Sequence, residues 1–144
     1  MAKKVVSVNA KISNSFEIEV STRHFSFKID QPEPAGKDAG PTPLEYFLSA
    51  LGGCVCTVGK TLAKKQRIDL RGIEVQIDGD FDNDFLLGKT DEGRAGFTKI
   101  TVNVKIDADM SLAEKEKFIH EVEKRCPVSD NISNQSSLEL KIIN

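Results

Sequence analysis

The sequence predicts an α+β fold, and three observations predict it. Short segments alternate apolar with polar residues at both ends and in the middle of the chain. A long apolar run between them steps by three and four, as one face of a helix does, and a second helical stretch follows. The order that emerges is βββ-α-ββ-α-β, read as a single domain over residues 1–144.

Residues 3–12, 16–21 and 23–30 read as three consecutive strands. Val6, Val8, Ala10 and Ile12 share one phase, Phe16, Ile18 and Val20 the next, and Ser13-Asn14-Ser15 turns between them. In the third strand Phe25, Phe27 and Ile29 alternate with polar neighbours, which makes Arg23 their same-face companion at the strand's start. His24 then faces solvent.

Residues 31–41 are a loop by composition, rich in proline and glycine, and they end in a helix start. Thr42-Pro43-Leu44-Glu45 fits a capping box, with Thr42 as N-cap, Pro43 at the first helical position and Glu45 reaching back to the cap amide. Leu44, Phe47, Leu48, Leu51, Val55, Val58 and Leu62 then mark one face of a helix running to about Lys65. Gly52 and Gly53 interrupt it. A mid-helix glycine costs about 1 kcal/mol relative to alanine, so close approach to a second helix or a second subunit is the expected compensation.

Strands follow at 71–81, where Ile73, Val75 and Ile77 alternate, and at 96–107, where Ile100, Val102, Val104 and Ile106 do. A long polar connection suits an antiparallel pair. Ser111-Leu112-Ala113-Glu114 is a second capping box and opens a helix to about Lys124. Cys126 before Pro127 suits the N-cap of a short helix over 127–133, and Leu138, Leu140 and Ile142 read as a last strand.

Composition excludes several function classes. The net charge of −2 and the lack of a basic run argue against nucleic acid as a partner. No stretch reads as a membrane span, and the N-terminus lacks the apolar block of a signal peptide. An odd number of cysteines, three, argues against a structural disulfide framework and for reduced thiols in the cytoplasm. No Cys-x-x-Cys or His-x-x-x-His spacing suggests a metal, and no motif calls for a cofactor.

The cysteines carry the chemistry that remains. Cys54 shares the helix side of Phe47, Leu51 and Val58, while Cys56 lies about 200° away, so the two do not pair while helical. Beside apolar surface the Cys54 thiol is pushed up and inert unless a cation offsets the desolvation. Cys126, at a helix start next to Arg125, has the better local case for a thiolate. Buried cysteine also serves as a small apolar filler, and that reading stays open for both.

Two motifs then stand out: Asp30-Gln31-Pro32…Gly36…Gly40-Pro41-Thr42-Pro43-Leu44-Glu45…Ala50-Leu51-Gly52-Gly53-Cys54, and Arg125-Cys126-Pro127-Val128-Ser129-Asp130. In these the chain resembles the osmotically inducible protein C and organic hydroperoxide resistance (OsmC/Ohr) proteins, in a less characterised branch. The resemblance implies an OsmC-like fold with antiparallel sheets around two central helices, built as an intertwined homodimer with active sites at the subunit interface. It implies a cysteine-based peroxidase reducing organic hydroperoxides, with Cys54 peroxidatic, Cys126 resolving and a thiol reductant restoring the pair. Phe25, Phe27 and Phe47 are candidates for its apolar walls.

The family's helper residues are an arginine and a glutamate, and here the chain departs from the pattern. Where the hydroperoxide-resistance branch carries its arginine in a glycine-rich segment, this chain has Ile12-Ser13-Asn14-Ser15-Phe16. Arg23 is the substitute, with Arg94 and Arg125 as alternatives. The glutamate directly after the proline is replaced by Leu44, with Glu45 one place later and half a turn out of phase with Cys54. Glu45 is thus a candidate both for the site and for a helix cap. A non-enzymatic module that binds a small apolar ligand or senses redox state is the other reading.

Overall fold

The structure, a computed structural model, describes residues 2–143. Two compact units divide it, one up to residue 47 and one from residue 48, with the boundary inside the first helix.

In the first unit β1 (Asn9–Ile12), β2 (Ile18–Thr22) and β3 (Phe25–Ile29) form an antiparallel sheet in the order β1-β2-β3. Val20 in the middle strand faces Ala10 on one side and Phe27 on the other, and is buried. The helix α1 (Pro43–Gln66) begins in this unit. Its capping box is present: the Thr42 amide donates to Glu45 Oε2 at 2.7 Å and the Glu45 amide to Thr42 Oγ1 at 3.3 Å. Tyr46 stacks on Phe27 with ring centroids 5.1 Å apart and donates its hydroxyl to the Lys28 carbonyl at 2.8 Å.

Asp30 organises the loop between β3 and α1. Its carboxylate is 1% exposed and accepts from the backbone amides of Gln31, Lys37 and Ala39 at 2.8–3.1 Å. Gly36 and Gly40 let the chain pass closely, since a Cβ would strike the Gln31 carbonyl and Asp30 at the first and the Lys28 carbonyl at the second. The amide hydrogen bonds, that of Ala39 foremost, hold the Asp30 carboxyl below the usual carboxylate range. The stabilisation is therefore complete above the ordinary carboxylate range and disappears as pH falls through the lower, folded-state value. Asp30→Ala is expected to lower the unfolding temperature at pH 7 by about 5 °C or more, a gap that narrows at acid pH in thermal scans.

In the second unit β4 (Gly72–Phe81) and β5 (Phe97–Asp107) pair antiparallel, with Ile73 opposite Ile106, Val75 opposite Val104 and Ile77 opposite Val102. A short helix α2 (Asn83–Leu86), capped by the Asp82 carboxylate, sits in their connection. After β5 come α3 (Leu112–Arg125) and α4 (Pro127–Ser133). The second capping box is also present at Ser111 and Glu114. The core joins Leu51, Val55, Leu62 and Ala63 of α1 with Leu70, Ile106, Ala108, Phe118, Val122 and Cys126.

The glycines of α1 find a different neighbour from the one expected. A Cβ at Gly52 would lie 3.3 Å from both Val75 and Ile77, and one at Gly59 would strike Ile73, so strand β4 takes the close approach and not a second helix. Gly53 meets nothing within 4 Å.

Three further expectations are corrected. Arg23 is not a strand residue on the apolar face: with His24 it forms the turn between β2 and β3, at a φ of 53°. A two-residue hairpin loop needs a left-handed position, and Arg23 occupies it. Residues 3–8 and 138–142 form no strand. Val6 and Val8 alternate, as do Leu138, Leu140 and Ile142, yet among the described residues they have no strand to pair with and stand exposed. Finally, α1 is by length and composition long and apolar enough to cross a membrane, contrary to the reading that no stretch is. Its buried face, Leu51, Gly52, Val55, Gly59, Leu62 and Ala63, is that of a core helix.

Candidate functional site

Cys126 owes its position to the proline after it. Proline disfavours the helical conformation in the residue before it, and Cys126 is extended, with φ −81° and ψ 110°. The chain breaks there, so Cys126 closes α3 and caps α4 at once. Phe118, Val122 and Cys126 are spaced by four along α3, so the thiol continues that helix's buried face. Cys126 is 0% exposed.

Cys54 projects from α1 between Leu51 and Val55 toward this point, and its Sγ lies 2.7 Å from that of Cys126. Both are free thiols, sharing one S–H···S hydrogen bond; a disulfide requires about 2.05 Å. Cys54 is partly exposed where Cys126 is not. Cys56 points elsewhere, its thiol donating to the Ile73 carbonyl at 3.8 Å, as the helical phase requires.

The first turn of α4 supplies one amide to each sulfur. The Ser129 amide donates to Cys126 Sγ at 3.5 Å, and that of Val128 donates to Cys54. Burial first, then the hydrogen bond with Cys126, pushes the Cys54 thiol up, and the Val128 amide acts in the opposite direction. Neither Arg94 nor Arg125 is among the groups that shift it. Alkylation of reduced Cys54 by iodoacetamide is accordingly expected to titrate above the ordinary thiol range, with the midpoint moving down in Cys126→Ala. Peptide-resolved labelling between pH 6 and 11 measures both.

Arg23 is exposed, with its guanidinium 4.9 Å from the centroid of the Phe25 ring. Arg94 and Arg125 are exposed, the latter in the last turn of α3. Glu45 holds the Thr42 amide. His24 is exposed and packs on Phe25 at 4.0 Å between centroids. Among the described residues no group of three or more His, Cys, Asp or Glu side chains is arranged to hold a metal ion.

Two features were not read from the sequence. One is the Val128 amide at Cys54, which depends on a contact between distant parts of the chain. The other is a cleft of about 380 Å³ formed by α1, β5, α3 and α4. Leu51, Val55, Ile100, Val104 and Ile132 make it mostly apolar, and Ser129, one of the two amide donors, lies on its wall.

A family model described as OsmC-like protein matches residues 36–141. An uncharacterized protein of Methanocaldococcus jannaschii is 36% identical over 93 residues, which cover 64% of this chain and 44% of that protein. The chain thus matches less than half the length of this curated relative. Among solved structures, an OsmC-like protein from Mycoplasma pneumoniae superposes with a TM-score of 0.80 at 21% identity, covering 93% of this chain and 91% of that one. An organic hydroperoxide resistance protein OsmC from Legionella pneumophila gives 0.66 at 20%, covering 92% and 91%. The organic hydroperoxide resistance protein of Bacillus subtilis gives 0.60 at 19%, covering 92% and 93%. These structures share the fold, and with the family match over most of its length the chain belongs to the OsmC-like protein family.

Proposed function

We propose that the protein is a thiol peroxidase that reduces organic hydroperoxides, with Cys54 peroxidatic and Cys126 resolving. The observation that carries this reading is the pair of free sulfurs at 2.7 Å, one partly exposed and one buried. Cys54 thiolate attacks the outer peroxide oxygen, the O–O bond breaks, and the alkoxide leaves and takes a proton as the alcohol. Cys54 is then a sulfenic acid. The Cys126 sulfur attacks it, the S–S bond forms, and the hydroxyl departs as water with the Cys126 proton. A thiol reductant restores the dithiol.

A cation is required, because burial disfavours the Cys54 thiolate. Arg23 is our choice for that role, with Arg94 and Arg125 as alternatives. Glu45 serves as the cap of α1 and, in the same reading, orients the arginine only if it releases the Thr42 amide. The working unit is a homodimer. The exposed alternating segments around Val6 and Leu140 need a strand to pair with, and the open side of Gly53 suits the close approach of another backbone. A reducing cytoplasm suits the free thiols.

The apolar cleft favours a second reading, a module that binds a small apolar ligand or senses redox state without turnover. Consumption of cumene hydroperoxide and hydrogen peroxide by the reduced protein with excess dithiothreitol separates the two. Catalytic loss of the organic peroxide supports the peroxidase. No turnover with either, but a melting temperature raised by an apolar ligand, supports the binding module.

A further inference from the structure

Thiol–disulfide exchange proceeds by attack on one sulfur and departure of the other, and access decides which sulfur is attacked. The two sulfurs here are unequal. Cys126 is 0% exposed, enclosed by the core that also holds Phe118 and Val122, whereas Cys54 is partly exposed. Each sulfur has an amide donor, so exposure is what separates them. The Ser129 amide already points at Cys126 Sγ, at 3.5 Å, and is placed to receive negative charge there.

From this asymmetry we infer that reduction of the Cys54–Cys126 disulfide runs in one direction only: the reducing thiol attacks Cys54, and Cys126 leaves as the thiolate onto the Ser129 amide. The inference rests on the proposed disulfide and adds the order of its reduction. A thiolate RS⁻ forms an R–S–S bond to Cys54 Sγ as the bond between the two protein sulfurs breaks. The electron pair goes to Cys126 Sγ, which is then protonated from solvent. A second RS⁻ attacks the outer sulfur of the mixed disulfide, giving R–S–S–R and releasing Cys54 as thiolate. Two electrons pass from two thiols to the protein. Cys54 is thus the entry point for both the oxidant and the reductant, and Cys126 meets neither.

The test uses the full-length protein oxidised with diamide, so that it does not depend on any hydroperoxide. Glutathione is added, the exchange is quenched in acid at early times, free thiols are alkylated, and the adducts are mapped by mass spectrometry. Expected is glutathione on Cys54 with alkylated Cys126, at least tenfold over the reverse arrangement, and an unchanged ratio in Cys56→Ser. Glutathione chiefly on Cys126, equal labelling of the two, or failure of diamide to join Cys54 to Cys126 would overturn the inference. If the adduct forms on Cys54 while cumene hydroperoxide is not consumed, the peroxidase reading fails and the direction of reduction stands.

Discussion

Cys54→Ser is expected to lower the turnover of cumene hydroperoxide at least a thousandfold, leaving the slow background of the remaining thiols. A serine hydroxyl at this site is a poor nucleophile toward an O–O bond and has no base beside it. Cys126→Ser divides the cycle. Without the Cys126 sulfur 2.7 Å away, each chain is expected to consume one hydroperoxide and stop as a sulfenic acid, which dimedone traps on Cys54. Cys56→Ser is expected to turn over normally, because that side chain turns toward the Ile73 carbonyl. The three variants together distinguish a dithiol mechanism from activity spread over exposed thiols. Because Cys126 is fully buried, a serine there costs about 1–3 kcal/mol of stability if its hydroxyl lacks a partner, and Cys126→Ala serves as the check.

The second large effect is on stability. Phe118→Ala is expected to destabilise the protein by about 3–5 kcal/mol, measured by urea unfolding, against a total of about 5–15 kcal/mol for a typical domain. Phe118 is 3% exposed and stands two helical steps of four before Cys126 on the same face of α3. The cavity left by its ring lies beneath the helix that seats the Cys126 thiol. Formation of the Cys54–Cys126 disulfide by diamide is therefore expected to slow along with the loss of stability. A substitution on the exposed side of α3, such as Lys117→Ala, is expected to change neither by more than about 0.5 kcal/mol or twofold.

The elements that the sequence announces correctly are those whose signals are local. Thr42 and Glu45 start α1 where the structure starts it, and Ser111 and Glu114 do the same for α3. The dipeptide Cys126-Pro127 ends one helix and caps the next within its own few residues. The alternation of Ile73, Val75 and Ile77 finds its partners on β5 because both strands belong to one hairpin-like unit. Val6 with Val8 and Leu138 with Leu140 show the same alternation and form no strand, because a strand is a property of a pair and the described residues offer these segments no second member. Arg23 failed for a related reason: the period of two continues through a turn in sequence, while the backbone reverses at that residue.

The site was legible to the same degree. Each cysteine's local setting could be read from its neighbours: Cys54 on an apolar helix face and Cys126 at a cap. Their proximity could not, since 72 residues separate them and only the packing of α1 against α3 and α4 closes that distance. The Val128 amide at Cys54 is invisible in sequence for the same reason. The cleft lined by Leu51, Ile100, Ile119 and Ile132 needs four elements in place before it exists.

The most direct measurement adds one equivalent of cumene hydroperoxide to the fully reduced protein without reductant and maps the peptides under non-reducing conditions. One disulfide joining the Cys54 and Cys126 peptides, formed with an equal amount of cumyl alcohol, is the expected result. Hydroperoxide left intact, or consumed while both thiols remain free, would contradict a peroxidatic Cys54 resolved by Cys126.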